Sequence, residues 1–134
     1  MNRRAGDRLD PLVKPPITRD QLIAYAHASG DINPIHLDEK FARKAGFPSV
    51  IAHGMLSMAF IADFLRHHFP DDSYRLEHLR ARFRKVTFPG DSLSCGGRIR
   101  AVNDDGTFFV EAATTNQGGE ITTEAEARFT PRSS

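Results

Sequence analysis

The apolar positions of this chain change from a helical to an alternating pattern near Pro70. Upstream, apolar residues recur three or four positions apart, which is typical of helices that pack on one side. Downstream, Leu79, Ala81 and Phe83 alternate with arginines, which is typical of a strand exposed on one face. The pattern therefore predicts helices first and an antiparallel sheet second, an α+β fold without an internal repeat.

Two short helices are predicted before residue 50. Thr18 and Gln21 form a capping box at the start of the first helix, which is expected to end near Gly30. The second helix is expected to begin after Asp38 as its N-cap and to end at Gly46. The side chains expected to face the core are Leu22, Ile23, Ala26, Phe41, Ala42 and Ala45.

A third helix is predicted over residues 54–69, where the side chains are apolar almost all the way round. A helix without a polar face is expected to be buried on every side. Its last turn carries basic side chains, which the helix dipole favours, at Arg66, His67 and His68.

The remaining apolar segments are predicted to be strands. A short edge strand is expected around Leu9, Leu12 and Val13. After Pro70, successive strands joined by tight turns predict an antiparallel meander that can wrap the apolar helix. The expected strands cover residues 79–84, 93–102, 108–115 and 121–129, with turns at 89–91, 103–106 and 117–119.

Composition narrows the class of protein. The 134 residues, 40% of them hydrophobic, predict one globular domain over residues 1–134, and the net charge of +1 gives no reason to expect nucleic acid or a membrane as partner. Residues 1–7 include basic side chains but no apolar segment follows them, so no signal peptide is expected. The single cysteine, Cys95, excludes an internal disulfide and favours a reducing compartment, the cytoplasm.

Two stretches carry candidate chemistry. In the first, Asp31 and His36 lie five positions apart across a segment that Pro34 keeps from being regular helix. A loop can direct both side chains into one cavity, which a helix could not do at this spacing. The second stretch, residues 50–55, places Gly54 at the start of the third helix, where free N–H groups can donate to a negatively charged oxygen.

Together these stretches resemble the MaoC-like, or (R)-specific, enoyl-CoA hydratase family. The matching motifs are YAxxSGDxNPIHxD at residues 25–38, AGF at 45–47 and IAHGM at 51–55, and residues 83–93 also fit the family. The resemblance implies a hot-dog fold, in which an antiparallel sheet wraps a long central helix. It also implies a homodimer in which the sheets of two chains join.

The resemblance further implies (R)-specific hydration of trans-2-enoyl thioesters to (R)-3-hydroxyacyl thioesters, or the reverse dehydration. His36 is then the base that takes a proton from water, Asp31 holds the same water, and the Gly54 N–H binds the thioester oxygen. The substrate is an acyl-CoA or acyl-carrier-protein thioester, and no cofactor or metal is expected. The residues expected to bind substrate are Asn33, His53, Met55 and Ser57.

The chain departs from the family pattern at Ala62, where some relatives carry a serine that binds the catalytic carboxylate. Ser57 or Asn33 could take over that contact. Two other functions stay open beside hydration, and Ala62 favours the second of them. One is a hot-dog thioesterase that hydrolyses the thioester, and the other is a non-catalytic subunit that only binds acyl thioesters.

Structural roles are the alternative interpretation for several of these residues. Asp31 could serve only as a turn residue and His36 only as a hydrogen-bonded core histidine. Asp38 is expected to be an N-cap rather than a catalytic group. A zinc site would have to combine His36, Asp38 and His53, although no Cys or His pair in the chain has the usual ligand spacing.

The last candidates lie on predicted strands. Cys95 is expected to pack in the core rather than to act as a nucleophile. Four basic side chains are expected either to form a solvated strand face or to meet the phosphates of coenzyme A or an acidic carrier protein. These side chains are Arg80, Arg82, Arg84 and Lys85.

Overall fold

The computed structural model describes residues 3–132. The outermost residues of the predicted 1–134 domain, including the first two of the segment considered for a signal peptide, lie outside that range. The elements in chain order are β1 (Arg8–Val13), α1 (Arg19–Ser29), a 3-10 turn (Pro34–His36), α2 (Glu39–Lys44), α3 (Gly54–His68), β2 (Tyr74–Phe83), β3 (Ser94–Val102), β4 (Phe108–Thr115) and β5 (Ile121–Pro131).

The five strands form one antiparallel sheet in the order β1-β3-β4-β5-β2. The predicted edge strand is confirmed as β1, and the predicted meander is confirmed for β3, β4 and β5. The prediction is wrong for β2, which pairs with β5 and not with β3. An alternating pattern identifies the exposed face of a strand but not its neighbour, and the segment at 84–93 carries the chain from one side of the sheet to the other.

The sheet curves around α3, which packs against β1, β3, β4 and β5. Alternate side chains of β4 point to this inner face, so each second residue of the strand is buried. The largest side chains fully buried between helix and sheet include Phe64, Phe69, Phe108, Ile61, Leu65, Leu93, Ile99 and Val110.

One face of α3 stays open. Met55 is 55% exposed and Ala59 is exposed as well, whereas the residues buried on the helix are Leu56, Ser57, Phe60, Ile61, Phe64 and Leu65. The prediction that this helix is buried on every side is therefore wrong for the single chain. The sheet covers only the side of the helix that it faces, and the open side is apolar in its first two turns before it reaches the exposed Asp63.

The predicted helix boundaries are confirmed. The Thr18 hydroxyl accepts a hydrogen bond from the Gln21 N–H at 3.0 Å, and α1 ends at Gly30, whose φ is 80°. Asp38 Oδ1 accepts hydrogen bonds from the first N–H groups of α2, and Gly46 follows its end with φ 100°. These devices depend only on residues a few positions apart, which is why the sequence predicts them well.

The predicted buried faces of the short helices are only partly correct. Leu22, Ala26 and Ala42 are buried, as expected. The expectation that three further side chains face the core was wrong. The side chains exposed on the single chain are Ile23, Phe41 and Ala45. Ile23 and Phe41 each lie one position from a buried residue and are turned about 100° away from it, and Ala45 lies past the end of α2 as its C-cap residue. In the described part of the chain, no helix has the length and apolar character needed to cross a membrane.

Candidate active site

The loop after α1 brings Asp31 and His36 together by local hydrogen bonds. Gly30 reverses the chain at the end of α1, and the Asp31 N–H donates to the Ser29 hydroxyl at 3.1 Å. Asn33 Oδ1 then accepts a hydrogen bond from the Ile35 N–H at 3.1 Å and so caps the 3-10 turn that carries His36. The loop therefore folds back on itself within six residues, as the proline in the motif predicts.

The imidazole of His36 faces the carboxylate of Asp31. His36 Nδ1 donates to the main-chain carbonyl of Ile51 at 2.8 Å, and a carbonyl can only accept. In the neutral ring Nε2 is therefore unprotonated, and it lies 3.8 Å from Asp31 Oδ2. This separation is too long for a direct hydrogen bond, but one water at about 2.8 Å from each atom can bind both. The pair can thus hold a water beside an atom able to take its proton.

The two side chains differ in their access to solvent. The Asp31 side chain is 54% exposed, whereas the His36 side chain is 11% exposed. Asp31 Oδ1 accepts a long hydrogen bond of 3.3 Å from the main-chain N–H of Asn33, so Asn33 supports the carboxylate through its backbone. Among residues 3–132, no hydrogen bond joins this carboxylate to Ser57, so Ser57 does not replace the serine that some relatives carry at the Ala62 position. Ser57 is buried on α3, and Ala62 is half-buried.

The start of α3 offers free backbone donors next to this pair. His53 is the N-cap residue of α3 and makes no capping hydrogen bond with its side chain. The Gly54 N–H makes no main-chain hydrogen bond within residues 3–132, as expected for the first N–H groups of a helix, so it can bind an incoming oxygen. A Cβ added at Gly54 would lie 3.1 Å from the Phe83 ring, so glycine lets the backbone approach closely here.

His53 lies behind the pair rather than in an opening. Its ring is 1% exposed and stacks on His36 with ring centroids 3.8 Å apart and planes inclined by 23°. Its Nε2 donates to the main-chain carbonyl of Asp31 at 3.0 Å. The structure thus brings Asp31, His36 and His53 into one cluster, and Gly54 follows His53 in the chain. The exposed side chain of Met55 lies on the open face of α3.

The predicted alternative of a zinc site does not fit this arrangement. Asp38 caps α2 through two backbone N–H groups and is not part of the cluster. Within residues 3–132, the carboxylate near both histidines is that of Asp31. One candidate ligand atom from each of the three side chains lies within 4.8 Å of the other two. A metal ion must lie in the plane of each imidazole that binds it, and stacked rings place their lone pairs in two separate planes. His36 and His53 are therefore poor ligands for one ion.

Three contacts of the site were not anticipated from the sequence. They are the Ile51 carbonyl that orients His36, the Tyr25 ring 4.8 Å from the His53 ring, and the Phe83 ring against Gly54. Tyr25 and Ile51 belong to the matching motifs, so the motifs were a signal for them. Phe83 opens the segment 83–93 that also fits the family, but only the tertiary structure brings the end of β2 next to Gly54.

The basic residues of β2, Arg80 and Arg82, lie on the outer face of the sheet, and Arg84 and Lys85 follow the end of the strand. Arg84 pairs with Glu124 at 3.1 Å, and Lys85 pairs with Glu120. Arg80 and Arg82 form no ion pair within residues 3–132, and they line a depression of about 840 Å³ on the outer sheet face. Asp31 and His36 do not line this depression, so it lies apart from the candidate site.

Cys95 packs in the core as predicted. It lies on the inner face of β3 and is fully buried. Burial raises the pKa of its thiol to about 11, with a smaller opposing effect from Lys14. The thiol is therefore protonated near neutral pH, and it is not suited to act as a nucleophile.

Comparison with known proteins agrees with this description. The sequence pattern of the MaoC like domain matches residues 2–127. A probable enoyl-CoA hydratase 2 of Dictyostelium discoideum is 28% identical over 123 residues, which cover 91% of this chain and 41% of that protein. An (R)-specific enoyl-CoA hydratase of Rhodospirillum rubrum is 27% identical over 111 residues, which cover 83% of this chain and 77% of that protein.

A solved structure gives the same fold. The (R)-hydratase from A. caviae involved in PHA biosynthesis superposes with a TM-score of 0.85 at 26% identity, covering 95% of this chain and 96% of that one. This match confirms the hot-dog fold expected from the sequence. The chain spans less than half the length of the Dictyostelium protein and of several other curated relatives. With a family pattern that matches nearly the whole sequence, the chain belongs to the MaoC-like domain family.

Proposed function

We propose that this protein catalyses the (R)-specific hydration of trans-2-enoyl thioesters to (R)-3-hydroxyacyl thioesters, and the reverse dehydration. The observation that carries the proposal is the pair of Asp31 Oδ2 and His36 Nε2, 3.8 Å apart, with Nε2 free to accept a proton. The names of the Rhodospirillum rubrum and A. caviae proteins support both the reaction and its stereochemistry.

In this proposal Asp31 and His36 transfer protons, and the start of α3 stabilises the negative charge that develops on the thioester oxygen. Water held between the two side chains attacks C3 of the enoyl group while His36 Nε2 takes its proton. Electron density shifts to the thioester oxygen, which the Gly54 N–H at the positive end of α3 stabilises. A proton returned from the pair to C2 completes the addition of water, so no cofactor is required.

The thioester carrier is coenzyme A or an acyl-carrier protein. Asn33, Met55 and Ser57 are proposed to contact the substrate, since Asn33 lies on the loop of the pair and the other two lie in the first turn of α3, which begins at Gly54. The exposed apolar side chains of Ile32 and Leu37, next to the pair in the chain, are suited to contact the acyl group of the substrate.

We propose that residues 1–134 act as one domain in the cytoplasm, which the free thiol of Cys95 supports.

We propose further that two copies of the chain form a homodimer. Of the two sheet edges, β1 is short and contains Pro11, whereas β2 has ten residues and no proline. An open edge of that length is normally covered, and pairing of two β2 strands about a two-fold axis would cover it. The open apolar face of α3, with Met55 and Ala59, would be covered by the same association.

The test is incubation of the purified protein with crotonyl-CoA. Hydration removes the enoyl absorbance without releasing free thiol, and chiral chromatography of the product should give the (R)-3-hydroxyacyl thioester. A thioesterase would release thiol, and a binding subunit would change neither signal. The Asp31→Asn variant, purified in the same way, controls for a contaminating hydratase. A series of enoyl thioesters from short to long then defines the acyl chain length.

Chelation tests the expectation that no metal takes part. Because proton transfer by Asp31 and His36 needs no Lewis acid, the hydration rate should survive exhaustive treatment with EDTA. Loss of the rate on chelation and its return on adding zinc would contradict the assignment of this pair.

A further inference from the structure

His53 is a buried histidine that the proposed reaction does not use. Its ring is 1% exposed, and it lies one residue before the Gly54 N–H at the start of α3. Its side chain makes no capping hydrogen bond to the helix. Its contacts go instead to the two residues proposed for proton transfer, to the main chain of Asp31 and to the ring of His36.

The first contact holds the backbone of Asp31. His53 Nε2 donates to the main-chain carbonyl of Asp31 at 3.0 Å, across 22 positions of sequence. The Asp31 side chain is itself half exposed and receives only a long hydrogen bond of 3.3 Å from the Asn33 N–H. The position of the carboxylate therefore depends on its backbone, which His53 ties to the start of α3.

The second contact holds the ring of His36. The two imidazoles stack with centroids 3.8 Å apart and an interplanar angle of 23°. The stack fixes the plane of His36, and the hydrogen bond from its Nδ1 to the Ile51 carbonyl fixes the rotation of the ring within that plane. Nε2 of His36 consequently points in one direction, toward Asp31.

The remaining nitrogen of His53 shows that this residue is not there for packing alone. Nδ1 is buried and has no hydrogen-bond partner in residues 3–132. A buried polar atom without a partner is unfavourable for stability, and a phenylalanine would fill nearly the same space without that cost. Tyr25 packs against the ring at 4.8 Å and offers a surface that a phenyl ring would fit as well.

We propose that His53 is a positioning residue that sets the distance between Asp31 and His36 and joins both to the Gly54 N–H. The inference rests on the proposed hydration, since it assigns no reaction of its own. A displacement of about 1 Å in a reacting group can cost on the order of 10² in rate.

The test compares His53→Phe with a matched control, His68→Phe. His68 lies on the same helix and also donates from Nε2 to the main-chain carbonyl of an aspartate, Asp10, at 2.8 Å, but it is remote from the pair in the fold. His53→Phe keeps the ring and loses the hydrogen bond to Asp31. We expect kcat for crotonyl-CoA hydration to fall by roughly 10- to 100-fold with little change in KM. His68→Phe should keep kcat within about twofold of the wild type.

The decisive measurement repeats His53→Phe in the Asp31→Asn background. A residue that acts by placing the carboxylate has nothing left to place there, so the second change should cost less than about threefold. An equal loss in both backgrounds would mean that His53 is merely structural and would overturn the inference. A wild-type kcat in His53→Phe would also overturn the inference, provided that Asp31→Asn is impaired. Wild-type turnover in Asp31→Asn itself would overturn the proposed function instead.

His53→Gln keeps the test valid if the phenylalanine variant does not fold. The glutamine amide can still donate near the Nε2 position, so this variant should keep more of the wild-type kcat than any variant without a donor. If His53→Gln folds and clearly loses kcat, and the loss is as large with Asn as with Asp at position 31, the inference fails. Loss of folding in both variants would also count against it, because His53 would then be needed for the fold.

Discussion

At the scale of single residues, the proposed hydration depends on the pair of Asp31 and His36. Asp31→Asn keeps the shape of the side chain but removes the carboxylate, and His36→Gln keeps a polar group but removes the imidazole. Each change should lower kcat by roughly 10²–10⁴, the range for general acid–base groups. Because both side chains face one water position, the double variant should lose little more than either single variant.

The measurement is a double-mutant cycle on the hydration rate, with thermal unfolding recorded alongside. Asp31 is half exposed, so its replacement should leave Tm nearly unchanged. His36→Gln breaks the bond to the Ile51 carbonyl and should cost about 1 kcal/mol of stability. Wild-type rates in both single variants would place the chemistry elsewhere. Rate losses that merely follow unfolding would support the purely structural interpretation.

Gly54 offers a second residue-level prediction. Gly54→Ala keeps the N–H and adds a Cβ 3.1 Å from the Phe83 ring, which is half exposed and can shift. Gly54→Pro adds a Cβ at the same place together with two further ring carbons, and it removes the N–H at the first position of α3, where proline is well tolerated. The proline variant should lose on the order of 10²–10³ more rate than the alanine variant, with similar melting curves. Equal rates would show that the oxygen is bound elsewhere.

At the scale of elements, the end of α1 sets where the loop with Asp31 begins. Gly30 has φ 80°, and no atom lies within 4 Å of a Cβ added there, so an alanine would meet strain without a clash. Gly46, with φ 100° after α2, is equally open and provides a matched control. Each alanine should destabilise the protein by roughly 1–2 kcal/mol.

The two glycine variants should differ in turnover. Gly30→Ala is expected to lower kcat as well as Tm, because the strain can be relieved by moving the adjacent Asp31. Gly46→Ala should lower Tm alone. Rates measured well below both melting temperatures separate the two effects. If both variants retain the wild-type kcat, the cap of α1 has no part in placing the carboxylate.

At the scale of the whole molecule, the open face of α3 and the free edge of β2 predict a dimer. Light scattering should give a mass near twice 14.9 kDa. Ala59→Glu places a charge on the exposed apolar face and should give monomers, since an unpaired charge is costly to bury. His67→Glu adds the same charge to an exposed position of the last turn and should stay dimeric. A monomeric wild type with full hydration activity would contradict the proposed assembly.

The sequence by itself determined the features that rest on local interactions. The caps at Thr18, Asp38 and Gly30 join residues within four positions, so their hydrogen bonds could be predicted from residue type and spacing. The tight turns on either side of β4, at 103–106 and 117–119, likewise follow from the chain alone. The spacing of Asp31 and His36 around a proline was sufficient to predict that both enter one site.

Only the tertiary structure decided which distant parts of the chain meet. The alternation in β2 is the same whether its neighbour is β3 or β5, so the crossing of the chain could not be predicted from it. Apolar composition likewise could not tell that Ile23 and one face of α3 would stay uncovered in the single chain. The stack of His53 on His36 joins residues 17 positions apart, and its geometry exists only once α3 is seated in the sheet.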